Sequence, residues 1–168
     1  WQGLKKTRVP FAVFGFLIVG GLSVATYHRN LVWADPVTLW QDVLKKAPRN
    51  ARAHNNLGHS YMQQNRLEEA LQAFQAALKI QPDIPKTHYN IGNIYAASGK
   101  LEEAITEYQA TLRINPNDAE AHNNLGNVYT LQGRLQEAMQ EYQEALRSDP
   151  NLDQARKNLE AVERSGTP

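Results

Sequence analysis

Apolar residues are spread over this chain in two different ways. From Val9 to Tyr27 they run together as VPFAVFGFLIVGGLSVATY, nineteen residues without a charge. A helix of that length covers about 28 Å, close to the hydrocarbon thickness of a bilayer, so the stretch predicts one membrane-spanning helix over 9–27. It leaves a flank at 1–8 and a linker at 28–34. Beyond the linker the apolar positions return at a fixed spacing of thirty-four residues: Leu57, Ile91 and Leu125, then Gly58, Gly92 and Gly126, then Tyr61, Tyr95 and Tyr129. Ala70, Ala104 and Ala138 follow in the same phase, as do Phe74, Tyr108 and Tyr142, and Pro82, Pro116 and Pro150. Frames at 51–84, 85–118 and 119–152 superpose without a gap. A fixed period of this length predicts a stack of similar units rather than a globule.

Each unit reads as two helices. Gly and Ala at the recurring places leave room for a paired helix, and Tyr and Leu fill the gaps between. Gly99 and Gly133 stand between the helices, where a left-handed residue is wanted, with Asn65 as a tolerable substitute. The prolines, each followed by Asn or Asp in PD, PND and PN, are expected to end one repeat and cap the next. Before the first frame, Trp40, Leu44 and Pro48 lie thirty-four residues ahead of Phe74, Leu78 and Pro82, which makes 35–50 a half repeat, with Asp35 as N-cap and Pro36 at the first helical position. After the last frame, 153–168 repeats the motif's Asn-Leu as Asn158 and Leu159 but puts Glu160 where glycine stood, so it reads as a solvating cap. The expected fold is therefore all-α: one transmembrane helix, then eight helices forming a half repeat, three full repeats and a capping helix.

Charge divides the chain at the same place. Lys5, Lys6, Arg8 and Arg29 lie in the first 34 residues without an acid; removing these four from the 18 basic residues leaves 14 against 17 acids, about −3 for 35–168. That remainder carries no basic stripe, which argues against nucleic acid as a partner. The three basic residues before the span, against Arg29 close after it, place the N-terminus in the cytoplasm and the repeats on the periplasmic, lumenal or extracellular side. A cleaved secretory signal, with SVA at 23–25, is the alternative for the same stretch. Gly21 and Ala25 form a weak small-residue contact pair. The chain has no cysteine, which excludes disulfides and thiolate metal sites.

The recurring small, aromatic and proline positions resemble the tetratricopeptide repeat, a helix-turn-helix unit of thirty-four residues, over about two-thirds of the chain. The resemblance implies that the first helix of each repeat lines a concave groove that binds a polypeptide. There the sixth place of the frames holds Asn56, Asn90, Asn124 and Asn158, the ninth His59, Asn93 and Asn127, and the fifth Asn55, Tyr89 and Asn123, with Lys157 closing that column. Amides both donate and accept, so such a column suits an extended peptide backbone. It is similar to the asparagine ladder of O-linked N-acetylglucosamine transferases. The competing reading is that these amides bond the neighbouring repeat. The Lys and Arg positions with which some of these domains clamp a terminal carboxylate are not matched, so an acidic C-terminal peptide is not the expected ligand.

His54, His88 and His122 also recur at the period, but helices pack about 10 Å apart and a zinc–nitrogen bond needs ~2 Å. They are expected to pack with their polar tips toward solvent. LEEA at 67–70 and 101–104 places acids in first helical turns, where the helix dipole favours them. No catalytic constellation, phosphate loop, metal motif or cofactor site is read, so this segment is expected not to be an enzyme. The junction YHRNLVWADPVTLWQDVLKKAPRNARAHNNLG resembles the one in polytopic transmembrane and tetratricopeptide-repeat proteins related to protein O-mannosyltransferases, where the repeats follow the last span. Three functions stay open: a membrane-tethered module binding protein or peptide partners, the acceptor-binding end of a multi-span glycosyltransferase, and an accessory subunit of a larger membrane complex.

Overall fold

The computed structural model describes residues 35–166. The expected span at 9–27, its flank and the linker lie outside the described residues, among which no helix is long and apolar enough to cross a membrane. Eight helices and no strand make up the described part, in agreement with the all-α solenoid expected from the sequence. They are α1 (Pro36–Lys46), α2 (Ala51–Gln63), α3 (Leu67–Ile80), α4 (Pro85–Ala97), α5 (Leu101–Ile114), α6 (Ala119–Leu131), α7 (Leu135–Ser148) and α8 (Asp153–Gly166). α2 packs on α3, α4 on α5 and α6 on α7, while α1 on α2, α3 on α4, α5 on α6 and α7 on α8 join the units in series.

Local chemistry sets the ends of these helices. Asp35 accepts from the backbone N–H of Val37 at 3.3 Å and of Thr38 at 3.1 Å, with Pro36 first in the helix. Asn50 caps α2 through Ala53 N–H, and Asp118 caps α6 through Ala121 N–H. The expected cap at Asp83 does not form. Ile84 holds the N-cap position of α4 with no side-chain bond, because Pro85 occupies the first helical place and the cap falls one residue after the aspartate.

Within each repeat the turn follows one pattern. Asn65 (φ 57°), Gly99 (φ 72°) and Gly133 (φ 73°) are left-handed, and the next residue's N–H returns 2.9 Å to the Tyr61, Tyr95 or Tyr129 carbonyl. This geometry satisfies carbonyls that a helix end leaves open. It also folds Arg66, Lys100 and Arg134 over the rings of Tyr61, Tyr95 and Tyr129, at 4.4, 5.8 and 4.2 Å from the ring centres.

Glycine sets how close the paired helices come. A Cβ on Gly58 would sit 2.6 Å from the Phe74 ring; on Gly92, 2.8 Å from Tyr108; and on Gly126, 2.7 Å from Tyr142. All three rings are fully buried, as are Ala70, Ala104 and Ala138 beside them. At the corresponding place in α8, Glu160 is exposed, which keeps that face of the last helix polar. The core runs along the stack in two parts, one around Leu57, Phe74 and Ile91 and the other around Tyr108, Leu125 and Tyr142, with Tyr95 packed against both.

Candidate binding face

The amides singled out in the sequence come together between the first helices of successive repeats. The Asn90 Nδ2 group donates to His59 Nε2 at 3.0 Å, Asn124 Nδ2 to Asn93 Oδ1 at 3.0 Å, and Asn158 Nδ2 to Asn127 Oδ1 at 2.8 Å. These are one interaction made three times, from the sixth place of a repeat to the ninth place of the repeat before. Asn124 also donates to the Tyr89 hydroxyl at 3.1 Å, and Asn158 to Asn123 Oδ1 at 3.0 Å. Asn123 donates to Asn124 Oδ1, and Asn55 Oδ1 accepts from Thr87. From below, the Tyr108 hydroxyl donates to Asn93 Oδ1 at 2.7 Å and the Tyr142 hydroxyl to Asn127 Oδ1 at 2.9 Å.

Of the ten residues expected on the binding face, Asn56 alone makes no side-chain hydrogen bond among the described residues. The ninth place of the frame before 51–84, where its ladder partner would stand, is residue 25, outside the described residues. Asn90 and Asn123 are buried at 4% and 6% exposure; the others are half-buried. In the sixth-place column Asn90, Asn124 and Asn158 thus donate across the repeat junctions, at roughly 1 kcal/mol net for each bond. What remains for a ligand is the outer side of the column: Asn56, the Tyr89 ring and the second edge of Asn127.

Burial shapes the ionisation of this face. It pushes the hydroxyls of Tyr108, Tyr89 and Tyr142 upward, so all three stay protonated and available as donors. His59 is held below the ordinary imidazole value, first by burial and then by the charge of Lys86. Its Nε2 accepts from Asn90, which requires the neutral ring.

A cleft that sequence reading missed opens at the carboxyl ends of α6 and α8. It has a volume of about 350 Å³ and is walled by Asn127, Thr130, Leu131, Asn158, Ala161 and Ser165 over a floor of Tyr142 and Val162. The frame explains it. Ala161 stands at the ninth place, where Asn93 and Asn127 stand in α4 and α6, so an amide is missing and a hollow remains. Leu131 at its rim is 70% exposed, the one exposed large hydrophobic side chain among the described residues.

An all-helical stack of two-helix units, tied through an asparagine column on its first helices, defines a helical repeat protein. Sequence signatures described as tetratricopeptide repeat match residues 39–72 and 119–152, and one described as TPR repeat matches 58–99 and 92–133. The chain belongs to the tetratricopeptide-repeat family. Over 55 residues it is 38% identical to the Homo sapiens protein O-mannosyl-transferase TMTC3; that stretch is 33% of this chain, and the chain spans about 6% of the length of that relative. Among solved structures, that of MamA superposes with a TM-score of 0.73 at 21% identity, covering 77% of this chain and 75% of that one. The first TPR of Spaghetti (RPAP3), bound to an HSP90 peptide, superposes with a TM-score of 0.66 at 21% identity, covering 68% of this chain and 91% of that one.

Proposed function

We propose that this chain is a membrane-tethered interaction module that holds an extended segment of a partner polypeptide along the first helices α2, α4, α6 and α8. The observation that carries the reading is the cleft beside Leu131. It sets an uncommitted apolar surface against Asn127, whose Oδ1 is taken by Tyr142 and Asn158 while its amide N–H groups have no partner among the described residues. An aliphatic side chain enters the cleft, and the adjoining backbone carbonyl accepts from Asn127. Half-buried Tyr89 and Asn56 extend the same strip. The superposition on a peptide-bound tetratricopeptide domain supports this use of the fold. Residues 9–27 supply the tether, and the positive-inside bias sets the repeats on the non-cytoplasmic side.

Binding of an immobilised library of extended peptides by the full chain in detergent tests the groove. Leu131→Asp and Asn127→Ala should abolish retention of aliphatic-containing peptides, whereas Gln143→Ala, on exposed α7 surface, should leave it unchanged. Equal binding by all three variants would refute the reading. Glycosylation-site mapping on either side of 9–27 in microsomes tests the tether and its orientation.

The match to the O-mannosyl-transferase favours a second reading, in which the same groove presents acceptor polypeptide to a membrane glycosyltransferase. Coding sequence upstream of Trp1 that adds many further spans would support it. Co-purification as a stoichiometric partner of another membrane protein would favour an accessory subunit instead.

A further inference from the structure

The fourth place of the repeat holds a second column, distinct from the amides. His54, His88, His122 and Arg156 each donate to the carbonyl of the proline six residues earlier: Pro48 at 2.9 Å, Pro82 at 2.9 Å, Pro116 at 3.0 Å and Pro150 at 2.6 Å. A carbonyl only accepts, so each histidine Nε2 carries a proton. In the two middle members the other ring nitrogen is engaged as well. His88 Nδ1 lies 2.6 Å from Glu107 Oε2, and His122 Nδ1 lies 2.6 Å from Glu141 Oε2. These pairs are well shielded, with side-chain exposures of 16% and 22% in the first and 12% and 23% in the second. An ionised carboxylate also only accepts, so the arrangement is complete only when both ring nitrogens are protonated.

We propose that the two inner junctions of the stack are proton-operated latches, in which charged His88 and His122 each tie a repeat to the loop before it and to its own second helix. The carbonyls of Pro82 and Pro116 belong to the α3–α4 and α5–α6 loops, so each latch pins the loop that enters a repeat to both helices of that repeat. Loss of a proton removes one of the two bonds: a neutral ring has a single N–H and serves either the carbonyl or the carboxylate. The outer members lack the second, carboxylate bond. Ala73 stands where Glu107 and Glu141 stand, so His54 has no carboxylate, and Arg156 makes the same carbonyl bond with a permanent charge.

The surrounding charges agree with the geometry. For His88, the bond to Glu107 on α5 raises the ring above the ordinary imidazole value against burial; the Pro82 carbonyl adds to it and Arg113 on α5 opposes it. For His122, burial is the largest effect and opposes charge, but the bonds to Glu141 on α7 and to the Pro116 carbonyl, with Asp118 at the helix's own N-cap, together outweigh it. A base raised on folding stabilises the fold fully below its unfolded value of ~6.5 and loses that contribution as pH rises through the folded value. The latches therefore close in mildly acidic solution and loosen in alkaline solution, where the entering loop is no longer tied to the repeat's second helix.

Imidazole nitrogen NMR of the full chain in detergent micelles reads the latches ring by ring. Glu107→Gln should lower the titration midpoint of His88 alone, and Glu141→Gln that of His122 alone. In parallel, the urea midpoint of the wild type should lose its latch contribution between mildly acidic and mildly alkaline pH, and a Glu107→Gln/Glu141→Gln chain should lack it. If either substitution moved both rings or neither, or if the double variant kept the wild-type pH dependence, the proposal would be overturned.

Discussion

Replacing Asn124 with alanine isolates the asparagine column as a structural element. The change deletes two donor bonds, to Asn93 Oδ1 and to the Tyr89 hydroxyl, and the acceptor for Asn123 Nδ2. Each bond is worth about 1 kcal/mol net, and a polar group stranded in the interior costs about 1–3 kcal/mol. Asn123, at 6% exposure, is the group stranded, whereas Asn93 Oδ1 keeps the Tyr108 hydroxyl and the Tyr89 hydroxyl is half-exposed. The sum is a loss of roughly 3–5 kcal/mol, large against the ~5–15 kcal/mol that holds an ordinary domain together. Urea unfolding followed by far-ultraviolet circular dichroism should show the midpoint falling by on the order of 1 M. Asn56→Ala supplies the comparison, since that amide makes no side-chain bond among the described residues; its effect should stay within about 0.5 kcal/mol. Equal midpoints for the two variants would refute the argument that the column ties the repeats together.

Gly126→Val places a Cβ 2.7 Å from the buried Tyr142 ring, and overpacking of this kind costs about 1–3 kcal/mol, read as a lower melting temperature; Gly133→Ala has open space around its Cβ and is limited by its φ of 73° instead. Leu131→Asp should leave melting nearly unchanged, because the side chain is 70% exposed, while removing aliphatic-peptide retention in the library assay. His59 has the opposite pH sign to the latches: its folded value is depressed, so its contribution is present above ~6.5 and is lost as pH falls from there toward the folded value. His59→Gln should therefore flatten the acidic limb of the stability profile while leaving the alkaline limb, set by His88 and His122, in place.

Much of the fold was legible because close helix packing repeats the same steric demands every thirty-four residues. The aromatic rings of Phe74, Tyr108 and Tyr142 need Gly58, Gly92 and Gly126 opposite them, and the turns need Asn65, Gly99 and Gly133; such requirements leave few alternatives and therefore show as letters. The cap of α4 departs from the sequence expectation because Pro85 and Asp83 compete within two residues, and the position of the proline decides where the helix begins. The site was legible only in part. The amide column could be counted in the sequence, but the direction of each Nδ2 group depends on the distance between neighbouring repeats. The histidines, expected to turn their polar tips to solvent, are bonded at both nitrogens in α4 and α6, because Glu107 and Glu141 lie nineteen residues away on the paired helices. The cleft came from an absence, Ala161 in an asparagine column, which matters only once α8 is seen lying against α6.

The sequence alone determined the period, the pairing of bulky with small positions and the polar character of the first helices, since these follow from local sterics and composition. Tertiary structure decided which hydrogen bonds those polar groups make and which surfaces stay uncommitted, because both depend on side chains from repeats that are distant in sequence and meet only when the stack closes.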